Sequence, residues 1–218
     1  PGVVAQASAT VDRLTKSTFH LGVGTGENMN EGPLGYDFPK YDERASRMRE
    51  ALSIIRRLLN GEKLDYEGEY YNTKGAKLYS PPLKEVPIWL AAGGPKSSHL
   101  AAEFADGLMI SVKNPEDAYE RVINPAQIKT DELGKSQLRV HTYRWTMFAQ
   151  NDDDAWESLK SWRGLRAPNR LQEIDPQALR EQADALPKEE IMSKFSRAGT
   201  IDELVDIYSP LVNDFGSE

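Results

Sequence analysis

The sequence predicts a (β/α)8 barrel, present in part. Three observations predict it. Short apolar runs alternate with stretches of helical period, two of those runs end in glycine, and none is followed by a G-x-G-x-x-G fingerprint. Strand–helix–strand order calls for parallel pairing through right-handed crossovers. Without a dinucleotide fingerprint, a barrel is preferred over a Rossmann sheet.

The elements read in order. Val3 to Leu14 has the look of a helix, and Phe19–Gly24 is a buried strand. From Tyr41 to Leu59 the apolar positions Ala45, Met48, Leu52, Ile55 and Leu59 recur at three- and four-residue steps, which is helical, with Gly61 as the C-cap candidate. Residues 64–78, rich in tyrosine around Gly68, read as a hairpin-like excursion, an insertion at about 62–80. Val86–Ala92 is a second strand, running into Gly93-Gly94-Pro95 and a helix through Ala105. Leu108–Val112 is a third strand, with a helix from about Pro115. Val140–Phe148 is a longer fourth strand. Helices are expected around Asp153–Trp162, Pro187–Ala198 and Ile201–Val212, the last with Asp202 and Glu203 suiting its dipole, before a loop over Asp214–Glu218. Complete barrels run to about 250 residues, and four strands alone leave two open apolar edges. The 218 residues are therefore expected to form one domain, part of a barrel whose leading and final units lie outside this chain.

Composition narrows the function classes. Hydrophobic residues make up 39% and charged residues 28%, which is ordinary for a soluble globular chain. No run is long and apolar enough to span a membrane. Pro1-Gly2-Val3-Val4 shows neither an initiator Met nor a basic-then-apolar signal segment, and a cytoplasmic location is expected. Cysteine is absent, so disulfides, thiolate metal sites and Cys nucleophiles are excluded. Net charge is −7 with no basic stripe, which argues against a nucleic-acid partner. An anionic ligand would need a local basic pocket.

Three places could carry chemistry. Gly22-Val23-Gly24-Thr25-Gly26-Glu27 follows a strand with G-x-G-x-G spacing and no helix expected directly behind it, so the Rossmann reading is rejected. On the carboxyl face of a barrel Glu27 would sit at the pocket rim as a proton donor or acceptor; the alternative is a tight loop with an exposed Glu. Ala91-Ala92-Gly93-Gly94-Pro95 ends a strand and opens a helix, a good anion site with free backbone N–H groups, a positive helix end and no Cβ in the way; the alternative is a plain βα turn. Ser111 and Lys113 past a strand end, with Arg170 and Lys194 further on, could converge on a phosphate dianion, or could be ordinary solvated side chains. His20, His99 and His141 lack metal-ligand spacing and read as structural, and no metal site is expected. Trp145 and Trp162 read as core, and Asn151-Asp152-Asp153-Asp154 as a capping loop.

Taken together, Leu21–Glu31, Glu67–Tyr71, Lys74–Ala76, Val86–Ile88, Ala91–Pro95, Ala105–Gly107 and Ala183–Pro187 resemble the F420-dependent glucose-6-phosphate dehydrogenases of the luciferase-like flavin and deazaflavin family, over nearly the whole chain. The resemblance implies a luciferase-like TIM barrel and an oxidoreductase that passes a hydride from a sugar 6-phosphate to coenzyme F420. It implies Glu27 as the acid beside the deazaflavin, Asn30 lining the same cofactor, and Ala91, Ala92, Gly93 and Gly94 receiving the F420 phosphate tail. Ser111 stands for a Thr that binds the sugar phosphate, Arg170 for a Lys, and Lys194 for an Arg. The family's further phosphate Lys falls at Asn114, or at Lys113 with a one-residue shift, and Leu171 stands where the family has His. The family's catalytic His and neighbouring Trp would lie upstream of Pro1. A homodimer is implied as well. Three alternatives stay open: an F420-dependent alcohol dehydrogenase, an FMN-dependent monooxygenase of the same barrel, and a non-catalytic cofactor-binding or storage homologue.

Overall fold

The computed structural model describes residues 1–217; Glu218, the end of the expected terminal loop, lies outside the described residues. Contacts sort the chain into two compact units. The first comprises Pro1–Thr25, Lys40–Ile110 and Glu120–His141; the second comprises Gly26–Pro39, Ser111–Tyr119 and the chain from Thr142 onward.

In chain order the elements are α1 (Gly2–Leu14), β1 (Leu21–Val23), α2 (Asn28–Glu31), α3 (Tyr41–Leu59), β2 (Leu64–Glu67), β3 (Asn72–Ala76), β4 (Ile88–Ala91), α4 (Pro95–Phe104), β5 (Gly107–Ser111), α5 (Pro115–Ala118), α6 (Asn124–Glu132), β6 (Arg139–Tyr143), β7 (Thr146–Phe148), α7 (Asp152–Leu159), α8 (Pro176–Asp184), α9 (Lys188–Met192), β8 (Ser196–Ala198) and α10 (Ile201–Phe215).

The first unit is built on the sheet β1-β4-β5-β6. β1 pairs parallel with β4, Leu21 opposite Ile88, and β4 pairs parallel with β5, Trp89 opposite Gly107. Ile88, Trp89 and Leu90 of β4 are all buried, so both faces of that strand are covered, and Leu108 and Ile110 of β5 are buried beside it. Helix α4, with Leu100 and Ala101 buried, packs against β4, and α3, with Leu52, Ile54 and Leu58 buried, packs against α4 and α1. Helix α3 has its expected bounds, and Gly61 follows it at φ 81°, the left-handed turn that ends many helices. Antiparallel β2–β3 is the expected hairpin. Its turn is tied to α3 by Glu50, whose carboxylate accepts from the amides of Glu69 (2.8 Å), Tyr70 (3.0 Å) and Tyr71 (3.1 Å). At the sheet centre the Trp89 indole donates to His20 Nδ1 at 2.7 Å, stacks on that ring and meets His141 edge-on.

The second unit packs Met147, Trp156, Leu186, Met192 and Phe195 around the buried Leu159, Ala183 and Ile191. Parallel β7 and β8 pair Thr146 with Ser196 and Phe148 with Ala198. Asn151 Oδ1 accepts from the amides of Asp153 and Asp154, both at 3.0 Å, so the acidic run is a cap.

The structure corrects four sequence expectations. The long strand Val140–Phe148 is two, β6 and β7, parted at Arg144-Trp145. The helix expected over Pro187–Ala198 stops at Met192, because Ser196–Ala198 is spent on the β7 edge. Helix α8 was not foreseen, although Asp175 caps it by accepting from Gln177 N at 2.9 Å and Pro176 opens it. Helix α10 continues through Phe215, where the loop was expected to have begun, and closes on Gly216 at φ 59°.

Candidate active site

In the first unit the exit of β4 positions the glycine pair. Ala91 is exposed, and Ala92 is buried with its amide on Met109 O at 3.0 Å. Space is open above Gly93 and Gly94: a Cβ at either would meet nothing within 4 Å. The expectation of free glycine amides is corrected. Both donate to Ser97 Oγ, at 3.1 and 3.2 Å, and the hydroxyl in turn donates to Gly94 O at 2.8 Å. What the segment offers an anion is the open approach and the positive end of α4.

In the second unit a single helical turn, α2, does follow the glycine loop, contrary to expectation, and Glu27 is its N-cap residue. Gly26 sits at φ 86°, and a side chain there would collide with the Glu31 carboxylate. Glu27 and Asn30 are both exposed. The Glu27 carboxylate accepts from Arg170 Nη2 at 3.1 Å, and Asn28 Nδ2 donates to Gln172 O at 2.7 Å. Leu171, between them in sequence, is 61% exposed.

The same unit holds a cleft of about 280 Å³. Ser111, Lys113 and Lys194 line it, joined by Arg144, Trp145 and Phe195. Lys113 keeps an exposed face, yet its pKa is pushed down, first by burial and then by the neighbouring charges of Arg166, Arg170 and Lys194, with Asp117 opposing. Three of the four sequence-predicted phosphate residues thus line one cleft, and the fourth, Arg170, is near enough for its charge to be felt there. Asn114 also lines the cleft, but its Oδ1 is committed to capping α5 through Asp117 N at 3.1 Å, which leaves Lys113 as the cation of that pair. Among the described residues Lys113, Lys194, Arg144 and Arg166 have no carboxylate partner within ion-pair distance.

Sequence reasoning missed Arg144 and Arg166. Arg144 lay hidden inside an apparent strand. Arg166 carried a signal, its place four residues before Arg170. Its guanidinium lies over the Phe195 ring at 4.4 Å, and its pKa is lowered by burial and then by Arg170. Trp145 and Trp162 are not core: they are 39% and 55% exposed and meet at 5.7 Å, with Phe195 edge-on to Trp145.

The family model described as luciferase-like monooxygenase matches residues 1–213. An F420-dependent glucose-6-phosphate dehydrogenase of Mycolicibacterium gilvum (strain PYR-GCK) is 35% identical over 212 residues, covering 94% of this chain and 63% of the relative. The chain therefore spans less than two thirds of the length of such curated relatives. Among solved structures, an F420-dependent secondary alcohol dehydrogenase in complex with an F420-acetone adduct superposes with a TM-score of 0.87 at 27% identity, over 96% of this chain and 65% of that one. The coenzyme F420 dependent tetrahydromethanopterin reductase of Methanopyrus kandleri, at 23% identity, 97% and 70% coverage and a TM-score of 0.78, shares the fold. The architecture is that of the luciferase-like TIM barrel. Matched along almost its whole length by the family model, the chain belongs to the luciferase-like family.

Proposed function

We propose that the protein is a coenzyme F420-dependent dehydrogenase acting on CH–OH groups, oxidising a sugar 6-phosphate such as glucose 6-phosphate or a relative. The observation that carries this reading is the cleft of the second unit, where Lys113 and Lys194 stand without carboxylate partners among the described residues in a chain of net charge −7. Uncompensated cations in a partly desolvated cleft favour a dianion. Ser111 would donate a hydroxyl to the phosphate, Lys113 and Lys194 would neutralise it, and Arg170 would reach it by leaving Glu27.

The residues present fit F420. Open backbone above Gly93 and Gly94 at the start of α4, with Ala91 and Ala92 before them, suits the cofactor's phosphate tail. Asn30 and Glu27 suit its ring, with Glu27 free to hold a proton there once Arg170, its partner in the unliganded protein, has moved to the phosphate. The cofactor supplies hydride acceptance. A base outside this chain would take the substrate's hydroxyl proton. The same reading takes residues 1–218 as part of one barrel domain, with no metal, and, on the resemblance to relatives, a cytoplasmic homodimer. Sedimentation of the full-length protein tests the dimer.

A specific observation favours a second reading, oxidation of a secondary alcohol. Arg170 is engaged by Glu27, and the aromatic side chains of Trp145 and Phe195 line the cleft beside the cations. The double substitution Arg170→Ala, Lys194→Ala separates the two. For a sugar-phosphate enzyme KM for glucose 6-phosphate rises steeply while turnover of simple alcohols holds; an unchanged KM overturns the phosphate reading. An FMN monooxygenase would show oxygen-dependent turnover with FMN instead.

A further inference from the structure

We infer that Arg144 and Trp145, at the break between β6 and β7, form a two-part recognition element for a phosphorylated ring: Arg144 is an additional ligand of the phosphate, and Trp145 is the surface on which the ring lies. The inference rests on the sugar-phosphate reading and names residues that reading does not use. Both side chains line the cleft that holds Lys113 and Lys194. Arg144 Nη2 donates to Lys113 O at 2.9 Å, which fixes the guanidinium beside that lysine. Its Nε is buried and has no hydrogen-bond partner. A structural arginine ordinarily satisfies such a donor on a carboxylate or carbonyl. Here acidic residues outnumber basic ones, 34 to 27, yet none among the described residues pairs with it.

The two backbones are held from two elements. Tyr208 Oη of α10 donates to Arg144 O at 3.1 Å, and Ser196 N of β8 donates to Trp145 O at 2.9 Å. Such a dipeptide is preorganised, so little ordering remains to be paid on binding. Trp145 is braced by Trp162 at 5.7 Å and by Phe195 at 6.3 Å, yet stays 39% exposed. A rigid, half-exposed indole next to unpaired cations fits a ligand with an apolar ring face and an anionic end. Inorganic phosphate has the anionic end alone, and a simple alcohol has neither.

The test uses the full-length protein with Arg144→Gln, Arg144→Lys, Trp145→Ala and Trp145→Phe. Affinities for glucose 6-phosphate and inorganic phosphate are measured by calorimetry, and affinity for F420 by fluorescence. Loss of a charge-assisted hydrogen bond predicts that Arg144→Gln weakens both phosphate ligands about ten- to a hundredfold, that Arg144→Lys recovers part of this, and that F420 affinity holds. Trp145→Ala should weaken glucose 6-phosphate while leaving inorganic phosphate within about twofold, and Trp145→Phe should restore the sugar phosphate. A general loss of folding would not separate these ligands. If the unmodified protein binds both phosphate ligands and Arg144→Gln leaves them unchanged, or F420 binding falls in parallel, this inference is wrong. If the unmodified protein binds neither, the sugar-phosphate reading fails, and the inference with it.

Discussion

Arg170 Nη2 donates to Glu27 Oε1 across 3.1 Å, joining residues 143 positions apart in the chain. The one is the proposed acid at the cofactor, and the other a proposed phosphate ligand. Their contact places the two roles on a single ion pair, so an anion that draws Arg170 away also frees the Glu27 carboxylate.

Glu27→Gln removes that charge and little else. The pair is exposed, 37% on Arg170 and 47% on Glu27, so its contribution to stability is at most about 1 kcal/mol. The melting temperature should stay within a few degrees. Loss of a proton-transfer group costs about 10²–10⁴-fold in rate, read as F420 reduction in the full-length protein. An unchanged rate rules out the acid role.

Gly26→Ala attacks the same loop through the backbone. At φ 86° a Cβ costs about 1–2 kcal/mol, and the methyl must also displace the Glu31 carboxylate. Denaturant unfolding should show the loss, accompanied by weaker F420 binding. Full stability with full affinity would mean that the loop is not shaped as described.

Gly107→Ala tests the sheet centre of the first unit. An added Cβ would run into the six-membered ring of Trp89, which is only 4% exposed and held by His20. Overpacking of this kind costs about 1–3 kcal/mol, measurable as a lower urea midpoint. A neutral effect would mean that Trp89 is free to move.

Lys113 predicts a pH dependence. Burial and its cationic neighbours hold its pKa below the usual lysine value of 10.5 in the folded protein. Between that lowered value and the usual one the unfolded chain binds more protons, so this residue's contribution to stability rises with pH. A bound dianion favours the charged lysine, so phosphate binding draws in a proton and weakens as pH climbs through the lowered value. The second ionisation of a phosphate ester has its midpoint near pH 6, so affinity should rise through about that pH and fall again in the alkaline range. Calorimetry across pH reads both limbs, and Lys113→Gln should abolish only the alkaline fall. A fall that persists in the variant would assign it elsewhere.

Legibility in the sequence followed the strength of local signals. Helix α3 was readable end to end because an amphipathic period and a glycine stop agree. The glycines after β1 and β4 marked the loops that the structure places at those strand ends. Strand β8 was not readable: three residues of β-structure beside a helix carry no period of their own, and only the pairing with β7 makes them a strand. The part of Ser97 was not readable because its hydroxyl acts on amides three and four residues back, a matter of rotamer rather than pattern. Arg144 escaped because the break that exposes it is fixed by Tyr208 and Ser196, both more than fifty residues away. Convergence of Ser111, Lys113 and Lys194 was an open alternative in the residues and favoured by the resemblance, whereas the spacing of Arg166 to Arg170 gave only a hint that its charge acts on Lys113.

The most direct measurement is an optical titration of the full-length protein with F420 and with FMN, followed by glucose 6-phosphate. F420 should bind, and its oxidised absorbance should be lost when the sugar phosphate is added. Binding of FMN alone, with oxygen-dependent turnover, would contradict it.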